Sequence, residues 1–258
     1  MTAPRRWLVV NADDLGRTLG VNDGILEAHA RGIVSSATLM VGFAAAADAA
    51  RRTAAHPRLG IGLHVTLTGA APTLPASQVA SLVDRRGRFP AKPEGIASPS
   101  PTELLAEIRH QLDMFRGLVG RLPTHLDSHH HSHRHPAVLD ALIEVAREHR
   151  LPVRASSSAV ARRLRDTGVP TTGVFVERFF GDQAELDVLL EILDGLPEGS
   201  AELMCHPARV DDELRAGSSY AEPRARELTT LCAPEARERL ERRGIRLATF
   251  SEACAAVP

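Results

Sequence analysis

Cysteine is scarce. Cys205, Cys232 and Cys254 are the only three in 258 residues, an odd number at long spacing. That excludes a disulfide framework or a cysteine-ligated zinc site, and it fits a reducing cytosol. Aromatic residues are scarcer still, at 3 %, with one Trp and one Tyr. No apolar run approaches the ~18 residues of a membrane span. The N-terminal MTAPRRWLVV has too short an apolar core for a signal peptide. Nor is there an excess of one charge. Lys+Arg total 31, nearly all arginine, against 32 Asp+Glu, for a formal net charge of −1. Nucleic acid and anionic membranes are therefore not expected partners.

What the chain does have is alternation. Short apolar runs read as strands at Trp7–Val10, Val34–Val41, Leu59–Leu67, Thr124–Ser128, Pro152–Ala155, Thr172–Val176, Ala201–Cys205 and Ile245–Thr249. Amphipathic stretches between them read as helices at Val21–Ala30, Ala44–Ala54, Pro101–Leu118, Pro136–His149, Ala159–Asp166, Asp182–Leu193 and Glu222–Glu241. Strand–helix alternation predicts parallel strands covered by helices. Seven or eight strands in this length favour a closed or nearly closed β/α barrel over an open doubly wound sheet. No linker divides the chain, so residues 1–258 read as one domain. Residues 69–101, rich in Pro, Ala and Ser, read as a lid or insertion loop.

Polar clusters fall where strands end. Val9-Val10 runs into Asn11-Ala12-Asp13-Asp14, and Leu63 into His64. Leu126 runs into Asp127-Ser128-His129-His130-His131-Ser132-His133, and Cys205 into His206-Pro207. In β/α barrels the carboxyl ends of strands carry the reacting groups, so these four clusters are expected to converge on one mouth. Taken singly, each has a plainer explanation. An Asp-Asp pair caps helices, and a lone strand-end His is often a hydrogen-bonded core residue. Gly60 and Gly62 share a face with His64 by period-2 parity, leaving volume beneath an imidazole. The stretch 125–135 holds six of the twelve histidines. In extended chain, His125, Asp127, His129, His131 and His133 would point to one side. Imidazole and carboxylate suit zinc, iron, nickel, manganese or, less typically, magnesium. A metal-sticky loop is the plain alternative. Arg154 either holds a carboxylate in place or lies exposed.

Taken in order, Asn11-Ala12-Asp13-Asp14-Leu15-Gly16, Gly62 to Thr68, His125 to His133 and Glu202 to Pro207 resemble the YdjC-like (ChbG/HpnK) carbohydrate deacetylases. Ser218-Ser219-Tyr220, with Arg224 and Glu227-Leu228, resembles that family's C-terminal signature. The match runs from Leu8 to about Phe250.

The resemblance implies a distorted TIM-type barrel related to the polysaccharide deacetylases. It also implies one divalent metal, Mg2+ with Zn2+ as the alternative, on Asp14, His64 and His129. Asp13 would be the general base. The substrate would be an acetylated sugar, either an N-acetylglucosamine oligosaccharide or a lipid-linked amino sugar. A homodimer is implied too. His206 or His131 would protonate the departing amine, with His206 favoured, and Arg154, Tyr220 and His133 are candidate substrate contacts. The scarcity of aromatic platforms points away from a long polymer. Tyr220, Phe43, Phe89, Phe179 and Phe180 are the rings available to stack on sugar. Two competing readings are a barrel hydrolase of phosphoesters or cyclic amides, and a non-catalytic His-rich metal buffer.

Overall fold

The apolar runs become short parallel strands, and the amphipathic stretches between them become helices that carry the chain back to the same end. The computed structural model describes residues 6–255. Residues 1–5 and 256–258, and with them the start of the stretch read above against a leader, lie outside the described residues. The strands are β1 (Arg6–Leu15), β2 (Ser36–Leu39), β3 (Gly60–Val65), β4 (Leu126–Ser128), β5 (Val174–Val176), β6 (Gly199–Cys205) and β7 (Ile245–Leu247). The helices are α1 (Leu19–Arg31), α2 (Ala46–Thr53), α3 (Pro101–Val119), α4 (Pro136–His149) and α5 (Ser158–Asp166). They continue with α6 (Leu186–Asp194), α7 (Asp212–Gly217), α8 (Pro223–Leu231), α9 (Pro234–Arg242) and α10 (Phe250–Ala255). No described helix is long and apolar enough to cross a membrane.

Prolines account for two departures from expectation. The strand expected over Pro152–Ala155 reduces to one bridge, Val153 to Leu126. Pro152 has no N–H to give a ladder, and the Val153 N–H is taken by the Pro170 carbonyl at 2.9 Å. The helix expected over Glu222–Glu241 is two, α8 and α9. Ala233 before Pro234 is extended, as the residue preceding a proline prefers.

The strands form one sheet in the order β4-β3-β2-β1-β6-β5, with β7 also on β1. All these pairings are parallel. β6 runs along one edge of β1 over Arg6–Ala12. The other edge is therefore shared end to end by β7, at Arg6–Leu8, and β2, from Asn11 onward. The Ser35 hydroxyl bridges that junction, accepting from the Val10 N–H and donating to the Ala248 carbonyl.

The sheet must curl. β4 and β6 stand four strand spacings apart, roughly 19 Å if flat. Yet the Arg154 guanidinium lies 3.0 Å from Asp127 on β4 and 2.7 Å from Glu202 on β6. The result is a distorted, partly open barrel. Its outer face, including Leu8, Val10 and Ala12 of β1, packs on the helices in one large apolar cluster. The inner face is largely polar and is plugged at one end by α10. There Val9, Ala248, Phe250 and Ala253 form a small separate cluster.

Gly62 explains part of that lumen. A Cβ there would fall 2.4 Å from the His125 ring, which stacks on Phe250 with centroids 3.8 Å apart. The volume expected beneath His64 is thus filled by His125.

Residues 69–100, between β3 and α3, contain only three short 3-10 turns. They are tied to α3. The buried Glu107 carboxylate accepts from the Thr73 N–H, the Thr73 hydroxyl and the Leu74 N–H. Glu103 accepts from Ser81.

Candidate active site

Two neighbouring carboxylates enter one cleft because β1 bulges. Between Ala12 and Leu15 it advances three residues while β2 advances two, from Ala37 to Leu39. The extra residue cancels the period-2 alternation that would send Asp13 and Asp14 to opposite faces. Asp14 itself takes a left-handed conformation, φ 69°. Gly16 follows at φ 88°, and its N–H is held by the Asn22 side chain at 2.8 Å.

Asp13 sits at the centre of a buried charge network. Arg154 donates to both of its oxygens, at 2.6 and 2.7 Å, and Asn11 donates to Oδ1 at 2.9 Å. Burial raises the Asp13 carboxyl, but the adjoining guanidinium outweighs it and holds the group well below the usual carboxylate range. The same guanidinium contacts Asp127 and Glu202. Glu202 is pushed up to about 8, chiefly by burial. Arg154 is completely buried. It is therefore not placed as a substrate contact; its position is that of a support beneath Asp13.

His64, from β3, is oriented by Asp127, its cross-strand partner on β4. Its Nδ1 lies 2.7 Å from Asp127 Oδ1, and Thr38 donates to the other oxygen at 3.1 Å. With Nδ1–H directed at the carboxylate, Nε2 presents its lone pair. That lone pair faces Asp14 Oδ1 at 3.4 Å. At this distance the two atoms can share a proton or ligate one cation. Burial lowers the His64 imidazole, but Asp127 and the aspartates of β1 overcome it and push it to about 10.

His129 approaches from the other side. Its Nδ1 lies 3.0 Å from the Thr68 carbonyl, so the proton is directed there and Nε2 is free. Its ring centroid is 5.8 Å from that of His64. Burial lowers His129 to about 3, which keeps the ring neutral. Asp14 Oδ2 accepts from Arg224 at 2.5 Å, leaving Oδ1 for the cleft. Asp14, His64 and His129 do not have ligand atoms all within 4.8 Å of one another; among the described residues the set that does is Asp13, His64 and Asp127. In that set, however, Asp13 and Asp127 already share the Arg154 cation, and His64 Nδ1 is engaged.

The remaining histidines diverge. His130 and His131 adopt consecutive left-handed conformations, φ 54° and 52°. The common face expected of extended chain is therefore lost after Asp127. His131 turns toward Glu177, at 3.7 Å, and the edge of Phe175. Burial, with Arg154 nearby, lowers it to about 2. His133 is fully buried, its Nδ1 2.5 Å from Ser128 Oγ, so it has no exposed atom to offer a substrate. His130 stacks on His129 at 3.7 Å.

His206, at the end of β6, brings Nε2 to 4.0 Å from Asp13 Oδ2. Its backbone N–H donates to Glu227, whose other oxygen is 3.7 Å from His206 Nδ1. Tyr220 donates to Glu227 at 2.5 Å and accepts from the Gly181 N–H at 2.8 Å. The site thus joins Asp13 and Asp14 of β1, His64 of β3, His129 beyond β4 and His206 beyond β6. It leaves Arg154 and His133 beneath the surface.

Residues 7–242 match the family described as YdjC-like protein. The chain belongs to the YdjC-like family. A Geobacillus stearothermophilus protein named carbohydrate deacetylase is 41 % identical over 248 residues, 96 % of this chain and 98 % of that one. A Yersinia pestis (strain Pestoides F) protein named chitooligosaccharide deacetylase is 33 % identical over 249 residues, 95 % of this chain and 98 % of that one. The crystal structure of an Enterococcus faecalis V583 protein named for cellobiose-phosphate cleavage superposes with TM-score 0.91 at 33 % identity. That match covers 97 % of this chain and 99 % of the other. A family 4 acetyl xylan esterase from Clostridium thermocellum has TM-score 0.56 at 14 % identity, over 98 % of this chain and 93 % of its own, a likeness of fold alone.

Three supports of this YdjC-like site carry no role in the sequence reading. Glu202 is a charge inside an apolar strand, a signal visible in Ala201–Cys205. Arg224 and Glu227 lie three apart on α8, and both are buried there. Charged residues on a helix's buried face are the sign that could have found them.

Proposed function

We propose that this YdjC-like protein is a metal-dependent carbohydrate N-deacetylase, which hydrolyses the amide of an N-acetylated amino sugar. One observation carries the reading. Asp14 Oδ1 and His64 Nε2 face each other at 3.4 Å, with every other polar atom of those two side chains already engaged. His129, its Nδ1 proton spent on Thr68, offers the third donor. Asp14, His64 and His129 are the residues that would hold one divalent ion. An ion bound there would supply Lewis acidity to the acetyl carbonyl and to the attacking water.

The chain's own groups supply the proton chemistry. Asp13 accepts the proton of the attacking water. Arg154 and Asn11 fix its carboxylate and keep it ionised. Water oxygen bonds to the acetyl carbon and the C–N bond breaks. His206 delivers a proton to the departing nitrogen, leaving acetate and a free amine. His206 suits this step better than His131, which is turned to Glu177 and kept neutral by burial.

The resemblance implies Mg2+, whereas two imidazole nitrogens favour Zn2+ or a similar transition ion. A two-metal phosphoesterase would need carboxylates free for a second ion. Asp13 and Asp127 instead share Arg154. Residues 69–100 are proposed as one wall of the cleft. Gly69 approaches the His129 ring, and Lys92 Nζ lies 3.4 Å from His130. The test is release of acetate from a panel of N-acetylated sugars by protein loaded in turn with Mg2+ and Zn2+. The reading predicts acetate and free amine in equal amounts, abolished by a chelator. Phosphate release from phosphoesters without acetate release would refute it.

A further inference from the structure

Phe180 stands apart from the other aromatic side chains. Phe89, Phe115, Phe179 and Phe250 are buried, whereas Phe180 is 44 % exposed. It lies in the loop joining β5 to α6. The backbone at Phe180 is extended, so Phe179 turns inward as an anchor and Phe180 outward. The exposure is held in place. One face of the ring stacks on Tyr220, centroids 4.0 Å apart and planes 9° from parallel. Tyr220 is itself fixed by Glu227 and the Gly181 N–H. His206 lies 5.5 Å from the Phe180 centroid and 5.6 Å from that of Tyr220, nearly perpendicular to both. Being equidistant from the two rings, it stands beside the stack and leaves the outer face of Phe180 open.

Resting on the deacetylase reading, we propose that Phe180 is the platform on which a pyranose ring of the substrate stacks. The platform adjoins the group that protonates the departing nitrogen, so a sugar whose nitrogen reaches His206 brings its apolar C–H face near this ring. A rigid aromatic surface of fixed orientation needs little ordering on binding. The contact does not change as the amide is cleaved, so it holds substrate and transition state alike and acts on KM rather than kcat. One such ring at the rim suits a short sugar.

The experiment compares wild type with Phe180→Ala, Phe180→Leu and Phe180→Trp, measuring acetate released from N-acetylglucosamine and its disaccharide. Thermal melts verify that each variant folds. Phe180→Ala and Phe180→Leu are expected to raise KM about tenfold, equivalent to about 1.4 kcal/mol, with kcat within about twofold. Phe180→Trp is expected to restore KM, because the flat face matters rather than apolarity. Wild-type activity with an unmoved KM in Phe180→Ala would overturn the platform alone, as would a leucine as good as tryptophan. Absence of acetate from the wild-type protein would overturn the deacetylase reading and the platform with it.

Discussion

Asp13 and Asp14 are neighbours in sequence for which opposite tasks are proposed, and the difference lies in which cation each one meets. Asp13 meets Arg154 with both oxygens, while Asp14 meets Arg224 with one and leaves the other beside His64. Asp13→Asn is therefore expected to keep its metal and lose turnover by roughly 10²–10⁴-fold, the range for removal of a general base. His64→Ala or His129→Ala is expected to lose both. Metal content by elemental analysis beside acetate release separates the two classes. Arg154→Met would leave Asp13 and Asp127 without their shared counter-charge and Glu202 without its hydrogen-bond donor. It is expected to cost about 3–5 kcal/mol in denaturant unfolding, with Arg154→Lys a poor rescue because one ammonium cannot reach Asp13, Asp127 and Glu202 together.

At the scale of elements, the bulge in β1 and the curl of the sheet bring distant residues together. Gly62 tests the curl. A methyl there collides with the His125 ring, so Gly62→Ala is expected to destabilise by about 1–3 kcal/mol. In a double-mutant cycle, His125→Ala should recover much of that loss, since it empties the space the methyl needs. Additive losses in the two unfolding experiments would contradict this placement. Strands and helices were legible in the sequence because their periodicities are local, and so was the clustering of polar residues at strand ends. The 3-10 turn after Asp127 was not. Parity assumed extended chain, whereas Ser128 Oγ accepts from the His133 N–H and draws the segment into a tight turn. The partners of Arg154 were equally hidden: β1 and β6 pair side by side, but β4 reaches them only through the curl of the sheet.

For the whole molecule, the lumen encloses many titratable groups, and their shifts oppose one another. Burial lowers His129, His131 and His133 from 6.5 to about 3, about 2 and about 3. Below pH 6.5 the unfolded chain takes up protons that the folded protein refuses, so stability falls as pH drops from there. His64 and Glu202 act the other way, at about 10 and about 8 when folded. Each holds a proton that the unfolded chain releases earlier. His64 therefore loses its contribution from pH 6.5 toward 10, and Glu202 from 4.5 toward 8. Three histidines outweigh one glutamate on the acid side. The melting temperature of chelator-treated protein is expected to peak near pH 6.5 and to fall on both sides. A flat acid limb would show that these rings are not buried as described.

A single ion shared by Asp14, His64 and His129 is most directly tested by crystals grown with Mn2+ or Zn2+ and an anomalous difference map. The account predicts one strong peak bonded to Asp14 Oδ1 and to Nε2 of His64 and His129. A peak between Asp13 and Asp127, remote from His129, would contradict it.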